Sequence, residues 1–134
     1  MKKIKLFWQN QDGFTLLEMM IVVSIIGILT AIAFPKFNES LAIANTARVQ
    51  ADLQSLDTAI SMYKAQHSKA PQTLDDLSEY IDLDGVVAPT GEVYVNGELT
   101  TNTEEASYTL NKEKTHAMFL GQTKKAFSKQ KNNG

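Results

Sequence analysis

Glu18 is the only charged residue between Phe14 and Phe34, in the stretch "GFTLLEMMIVVSIIGILTAIAFPKF". An ionisable side chain in a membrane-length apolar run costs roughly 2.5 to 3.5 kcal/mol if left unpaired, so it normally faces a partner and marks function. The chemistry on offer is charge pairing. Upstream, Gly13 follows Gln11 and Asp12. That junction resists helix and places no side chain against a protease that must take its substrate extended. A cut after Gly13 would leave Phe14 with a free amine close to Glu18.

Little else in the chain suggests chemistry. No nucleophile, base and orienter set is visible, no glycine loop could cradle a phosphate, and His67 and His116 stand alone in unrelated segments. There is no cysteine, hence neither a disulfide framework nor a thiolate nucleophile. "DLDG" at residues 82–85 has the first beat of a calcium loop without the later ligands, and reads as a helix-ending turn. Catalysis, a cofactor and a metal site are therefore not expected.

The elements that must position Gly13, Phe14 and Glu18 come next. As a helix rising about 1.5 Å per residue, Phe14 to Phe34 spans about 30 Å, the thickness of a bilayer's hydrocarbon core. The preceding "MKKIKLFWQNQDG" carries Lys2, Lys3 and Lys5 against Asp12, which under the positive-inside rule puts the N-terminus in the cytoplasm and the rest across the membrane. A chain of 134 residues then keeps enough length for one modest domain. A plain signal anchor would explain the run but ignores Glu18. A cleaved secretory signal would use the small-x-small site Ala31-Ile32-Ala33, but the run is longer than the usual apolar core of such signals and carries an early acid.

A third reading takes the segment as a unit, and there the chain resembles the type IV prepilin and pseudopilin family. The family pattern is a short basic leader ending in Gly, then Phe, then Thr-Leu-x-Glu, then an apolar helix with an internal Gly and a later Pro. Gly13, Phe14, Thr15, Leu16, Glu18, Gly27 and Pro35 all fall in register. The resemblance implies a prepilin peptidase that cuts between Gly13 and Phe14, N-methylation of Phe14, and an assembly role for Glu18 as partner of the Phe14 amine of a neighbouring subunit. It also implies helix loosening between Gly27 and Pro35 on packing into a filament, and an inner-membrane assembly platform as a further partner. It covers about 25 residues closely and fixes nothing beyond residue 70. The Cys pair common at the C-terminus of adhesive pilins has no match here, and whereas some pseudopilins bind calcium through acidic residues of the C-terminal loop, this chain has no Asp after Asp84.

After Pro35 the pattern turns amphipathic. Val49, Leu53, Leu56, Ile60 and Tyr63 step by four, three, four and three, with Asp52, Gln54, Asp57 and Lys64 between them, predicting one helix from Phe14 to about Gln66 or Ser68, stopping before Pro71. Pro35 removes one backbone hydrogen bond, so a bend or local loosening is expected there. Thr73 is placed to cap a short helix with Leu74, Leu77 and Ile81 on one face and Gly85 at its end. "GEVYVNGELT" predicts a hairpin with a type I′ turn at Asn96-Gly97. "ASYTL" and "HAMFLG", either side of "NKEKT", predict a second antiparallel pair. The expected sum is an α+β, pilin-like fold, a long helix against one small sheet of three or four strands.

Charge is segregated. Asp75, Asp76, Glu79, Asp82, Asp84, Glu92, Glu98, Glu104 and Glu105 lie in a stretch without Lys or Arg, whereas Lys112, Lys114, Lys124, Lys125, Lys129 and Lys131 follow with Glu113 alone against them. The end, "GQTKKAFSKQKNNG", reads as a solvated, mobile tail. An electrostatic arm of Lys124, Lys125, Lys129 and Lys131 near Phe127, meeting DNA phosphates or an acidic neighbour, is the weaker alternative.

The organisation expected is a leader over 1–13, a transmembrane and filament-core helix over 14–35, and a soluble head over 36–134. The function expected is a structural subunit of a type IV pilus, type II secretion or competence filament. It would sit first as a single-pass membrane protein, then in a cell-surface or periplasmic filament among other subunits. The competing class is a membrane-anchored or secreted binding module.

Overall fold

The computed structural model describes residues 13–103 and 106–130. The Lys-rich leader up to Asp12, the acids Glu104 and Glu105, and Lys131 onward lie outside the described residues, with the expectations attached to them. The chain forms two compact units that meet between Phe37 and Asn38. Helix α1, Leu16–His67, contributes to both.

In the first unit α1 is apolar on every side, and the side chains from Gly13 to Phe37 are exposed. By length and composition it is long and apolar enough to cross a membrane. Its hydroxyls are satisfied within the helix: Ser24 Oγ donates to the Met20 carbonyl at 2.7 Å and Thr30 Oγ1 to that of Ile26 at 2.8 Å. Back-bonding of this kind lets Ser and Thr sit in an apolar span at little cost. The helix runs on through Pro35.

In the second unit α1 buries Ala42, Thr46, Val49, Leu53, Leu56, Ala59 and Ile60. The expected stripe is there, extended back by two turns. The helix ends where Ser68 turns to φ 54° and donates its N–H to the Lys64 carbonyl at 2.9 Å, a left-handed cap ahead of Pro71. Against the stripe pack Leu77, Val93, Tyr108, Ala117, Phe119 and Phe127.

The segment after Pro71 is shorter in helix than expected. Thr73 does not cap it; instead the Asp76 carboxylate accepts the amides of Thr73 at 3.1 Å and Gln72 at 2.7 Å, and those bonds, Thr73 first, hold Asp76 below the usual carboxylate range. A side chain that bonds backward in this way competes with helix extension. What remains is a 3-10 turn, Asp75–Leu77, with Leu77 buried. Asp82 opens a second such turn, Leu83–Gly85, by accepting the Asp84 amide at 3.2 Å. "DLDG" is thus a turn that Asp82 starts and Gly85 closes.

Strands β1, Gly91–Val95, and β2, Glu98–Asn102, form the expected hairpin, with Asn96 and Gly97 at φ 51° and 84°. Strands β3, Thr109–Leu110, and β4, Ala117–Met118, form the second pair. The single sheet of three or four strands is corrected to two separate two-stranded sheets. The reason lies in α1, whose polar residues take strand groups that another strand would have paired. Asn45 Nδ2 donates to the carbonyls of Thr90 and Glu92 at 3.3 and 3.2 Å. Thr46 Oγ1 accepts the Tyr94 amide at 2.8 Å, and Asp57 Oδ1 accepts that of Ala117 at 2.7 Å. Strand edges satisfied by a helix no longer recruit each other.

The solvated tail is also corrected, as far as Gln130. Phe119 and Gln122 exchange backbone hydrogen bonds at 2.8 and 2.9 Å around Leu120 and Gly121, both at positive φ. That reversal carries Phe127 into the core, fully buried, 5.8 Å from Phe119, which lies 5.2 Å from Tyr108. Gln50 Nε2 donates to the Phe127 carbonyl. Lys124 donates to Gln54, and Lys129 pairs with Glu39 at 2.6 Å. Burial of one aromatic ring outweighs the polarity of its neighbours.

Two outcomes follow for a chain from Lys36 to Gly134, which retains this core and is expected to unfold cooperatively. Phe127→Ala should cost about 3 to 5 kcal/mol in urea unfolding, and deletion from Lys124 should cost at least as much. Tyr108 donates to Asp52 Oδ2 at 2.7 Å, and burial, then Asp52, push its phenol well above the ordinary tyrosine range. A group with a raised folded pKa gives its full stabilisation below its unfolded value, about 10, and loses it as pH rises beyond. Tyr108→Phe should therefore be less stable than the parent at neutral pH, with the gap narrowing in unfolding curves taken above pH of about 10.

Candidate functional site

The residues singled out at the N-terminal end occupy the start of α1. Gly13, Phe14 and Thr15 are non-helical, and the helix begins at Leu16. Gly13 is exposed, and a Cβ built on it would meet nothing within 4 Å. The ring of Phe14 is 79% exposed. Gly13 and Phe14 are thus uncrowded and immediately outside a helix.

Glu18 has a partner in its own chain. The Thr15 amide donates to Glu18 Oε2 at 2.8 Å, and the Glu18 amide donates to Thr15 Oγ1 at 3.2 Å. This is a capping box, two otherwise orphaned amides satisfied reciprocally by residues three apart. It explains why α1 starts at Leu16, just after a junction that itself resists helix. A carboxylate in the first turn is also favoured by the helix dipole. The Thr-x-x-Glu spacing ahead of an apolar run carries that signal in the sequence, beside the charge that Glu18 also brings.

Gly27 and Pro35 are not brought into contact with any site. A Cβ on Gly27 would meet nothing within 4 Å, so crowding inside this chain does not require a glycine there. Among the described residues no group of three or more His, Asp or Glu is arranged to hold a metal ion. His116 lies 3.4 Å from Asp57 and His67 stacks on Tyr63 at 4.3 Å between ring centres, contacts that belong to the head's packing. A cleft of about 640 Å³ is lined by Gln54, Asp57, His116, Lys124 and Phe127 among others; its Lys124 and His116 are engaged with Gln54 and Asp57.

Comparison with known proteins supplies what the free chain does not. Residues 8–34 match the family described as the prokaryotic N-terminal methylation motif. The chain is 38% identical to the type II secretion system core protein G of Klebsiella michiganensis over 73 residues, 54% of this chain and 51% of that protein. It is 33% identical to the competence protein ComGC of Halalkalibacterium halodurans over 85 residues, 63% of this chain and 83% of that one. It is 33% identical to the type IV major fimbrial protein FimA of Dichelobacter nodosus over 97 residues, 72% of this chain and 54% of the other. The chain thus spans about half the length of the secretion relative. No solved structure matches it.

The capping box yields a local test. In detergent micelles, Thr15→Val should speed amide exchange at Glu18 by the equivalent of about 1 kcal/mol, Thr15→Ser should not, and Glu18→Gln should keep most of the protection because Gln serves in the same box. Equal exchange in all of these chains would remove the cap.

Proposed function

The chain belongs to the type IV pilin and pseudopilin family, and from that membership we propose a staged assembly role for its N-terminal residues. Members of this family are structural subunits rather than enzymes, and the family implies processing by a prepilin peptidase and assembly with other pilins. The apolar helix suggests membrane anchoring before assembly. On this reading residues 1–13 are the leader, with its lysines holding the N-terminus in the cytoplasm; 14–35 form the anchor and filament core; 36–134 form the head, ending as a cell-surface or periplasmic filament.

The observation that carries the reading is α1 itself. An apolar surface exposed on all sides through Phe37 must be covered either by lipid or by like helices. Prepilin peptidase cuts between Gly13 and Phe14, the new amine of Phe14 is methylated, and Glu18 of one subunit pairs with that amine on another. The non-helical position of Gly13 and Phe14, with no crowding at Gly13, supports the cleavage assignment. While the subunit waits in lipid, the bond from the Thr15 amide supports a reading in which Glu18 is stored at low cost. In the filament a desolvated ion pair would be stronger, and would set the axial stagger between neighbours. Gly27 and Pro35 mark where the helix loosens on packing, a role consistent with a glycine that nothing in the free chain demands.

Mass spectrometry of the membrane-extracted chain tests the processing. The expected mature chain begins at Phe14 and carries one methyl group. A chain beginning at Phe34 or at Met1 would overturn the reading. Glu18→Gln separates capping from pairing, because it retains the cap and loses the charge. It should insert and be cut after Gly13 yet assemble poorly, and Glu18→Leu should assemble no better. Normal filament numbers from either variant would exclude the ion pair.

A further inference from the structure

Asn96 and Gly97 form the tip of the β1–β2 hairpin, and Asn96 is exposed. Asparagine followed by glycine is also a reactive pair. The backbone nitrogen of the glycine can lose its proton to solvent base and bond to Cγ of the asparagine side chain, with no Cβ to obstruct the approach. The bond from Cγ to the side-chain nitrogen then breaks, and that nitrogen takes up a proton and leaves as ammonia. Water opens the resulting succinimide at one of its two carbonyls, giving aspartate or isoaspartate.

In this fold the attacking nitrogen is occupied. The Gly97 N–H donates to the Ser128 carbonyl at 3.0 Å, and the Asn96 N–H donates to that of Ala126 at 2.6 Å. Both amides of the turn are therefore held by the C-terminal segment, and that segment is itself anchored at three points: the buried ring of Phe127, the Gln50 side chain on the Phe127 carbonyl, and the Lys129–Glu39 ion pair. A hydrogen-bonded amide gives up its proton only when the structure around it opens.

We propose that Asn96 is a deamidation site gated by the docking of residues 126–130. While the segment is docked, the Gly97 nitrogen stays protonated and engaged; when it lifts, the turn becomes an ordinary Asn-Gly pair. Reaction then prevents return. Isoaspartate inserts a methylene into the backbone of a two-residue type I′ turn whose φ values, 51° and 84°, aim both amides at the segment. Either product also places a new carboxylate two residues from Glu98. A transient opening of the chain's end becomes a permanent one, and the hairpin keeps a chemical record of it. This inference stands on the head alone and is independent of the assembly role.

The test uses the full chain in detergent micelles at mildly alkaline pH, with isoaspartate at position 96 followed by peptide mapping and Gly97 amide exchange followed in parallel. A synthetic peptide of residues 92–100 sets the ungated rate. The intact chain should react at least about tenfold more slowly than the peptide. Gln50→Ala combined with Lys129→Ala loosens the segment while leaving Phe127 in the core, and a chain ending at Thr123 removes both carbonyl acceptors. Deamidation should rise across this series in step with Gly97 exchange. An intact chain that reacts at the peptide's rate overturns the proposal, as does a series in which Gly97 exchange accelerates and deamidation does not.

Discussion

An apolar helix surface with nothing in its own chain to cover it is the constraint on which the rest of this protein depends. From Leu16 to Phe37 every side chain of α1 is exposed, and such a surface is stable only against lipid or against other apolar helices. In either setting no water is at hand for stray polar groups. Ser24 and Thr30 turn their hydroxyls back onto carbonyls one turn earlier, and Thr15 and Glu18 close the amides at the helix start. The same capping box keeps Gly13 and Phe14 out of the helix, so one local motif delimits both the apolar surface and the non-helical junction before it.

Glu18 consequently has two separable properties. As a capping side chain it needs an acceptor oxygen, which an amide could supply. As a charge it needs a cation, which the described residues of the free chain do not supply through any ion pair to it. In the proposed assembly role the second property is the one that matters between subunits, while the geometry makes the first the one that matters within a subunit.

The head solves a different problem, how a small domain without disulfides keeps short strands in place. Two-stranded ribbons are marginal by themselves. Here a single helix face supplies both the apolar floor and the polar hooks: Val49, Leu53, Leu56 and Ile60 bury the ribbons, while Asn45, Thr46, Asp52 and Asp57 bind them from alongside. Phe127 then seals the core from the far end of the chain. The strands owe their positions to α1 and the C-terminal segment more than to one another.

Features that repeat locally were determined by sequence alone. The apolar run, the four-three stepping from Val49 to Tyr63, the stop before Pro71 and the Asn96-Gly97 turn each follow from contacts between residues a few positions apart, and each is in place. The α+β class was legible for the same reason. The tertiary structure decided what depends on distant partners. Asp52 and Asp57 read as solvent-facing spacers until Tyr108 and Ala117 arrive against them from more than fifty residues away. A lone Phe127 among lysines and glutamines has no periodicity to mark it as core; only the reversal at Leu120-Gly121, which brings its ring against Phe119, makes burying it more favourable than leaving it in water.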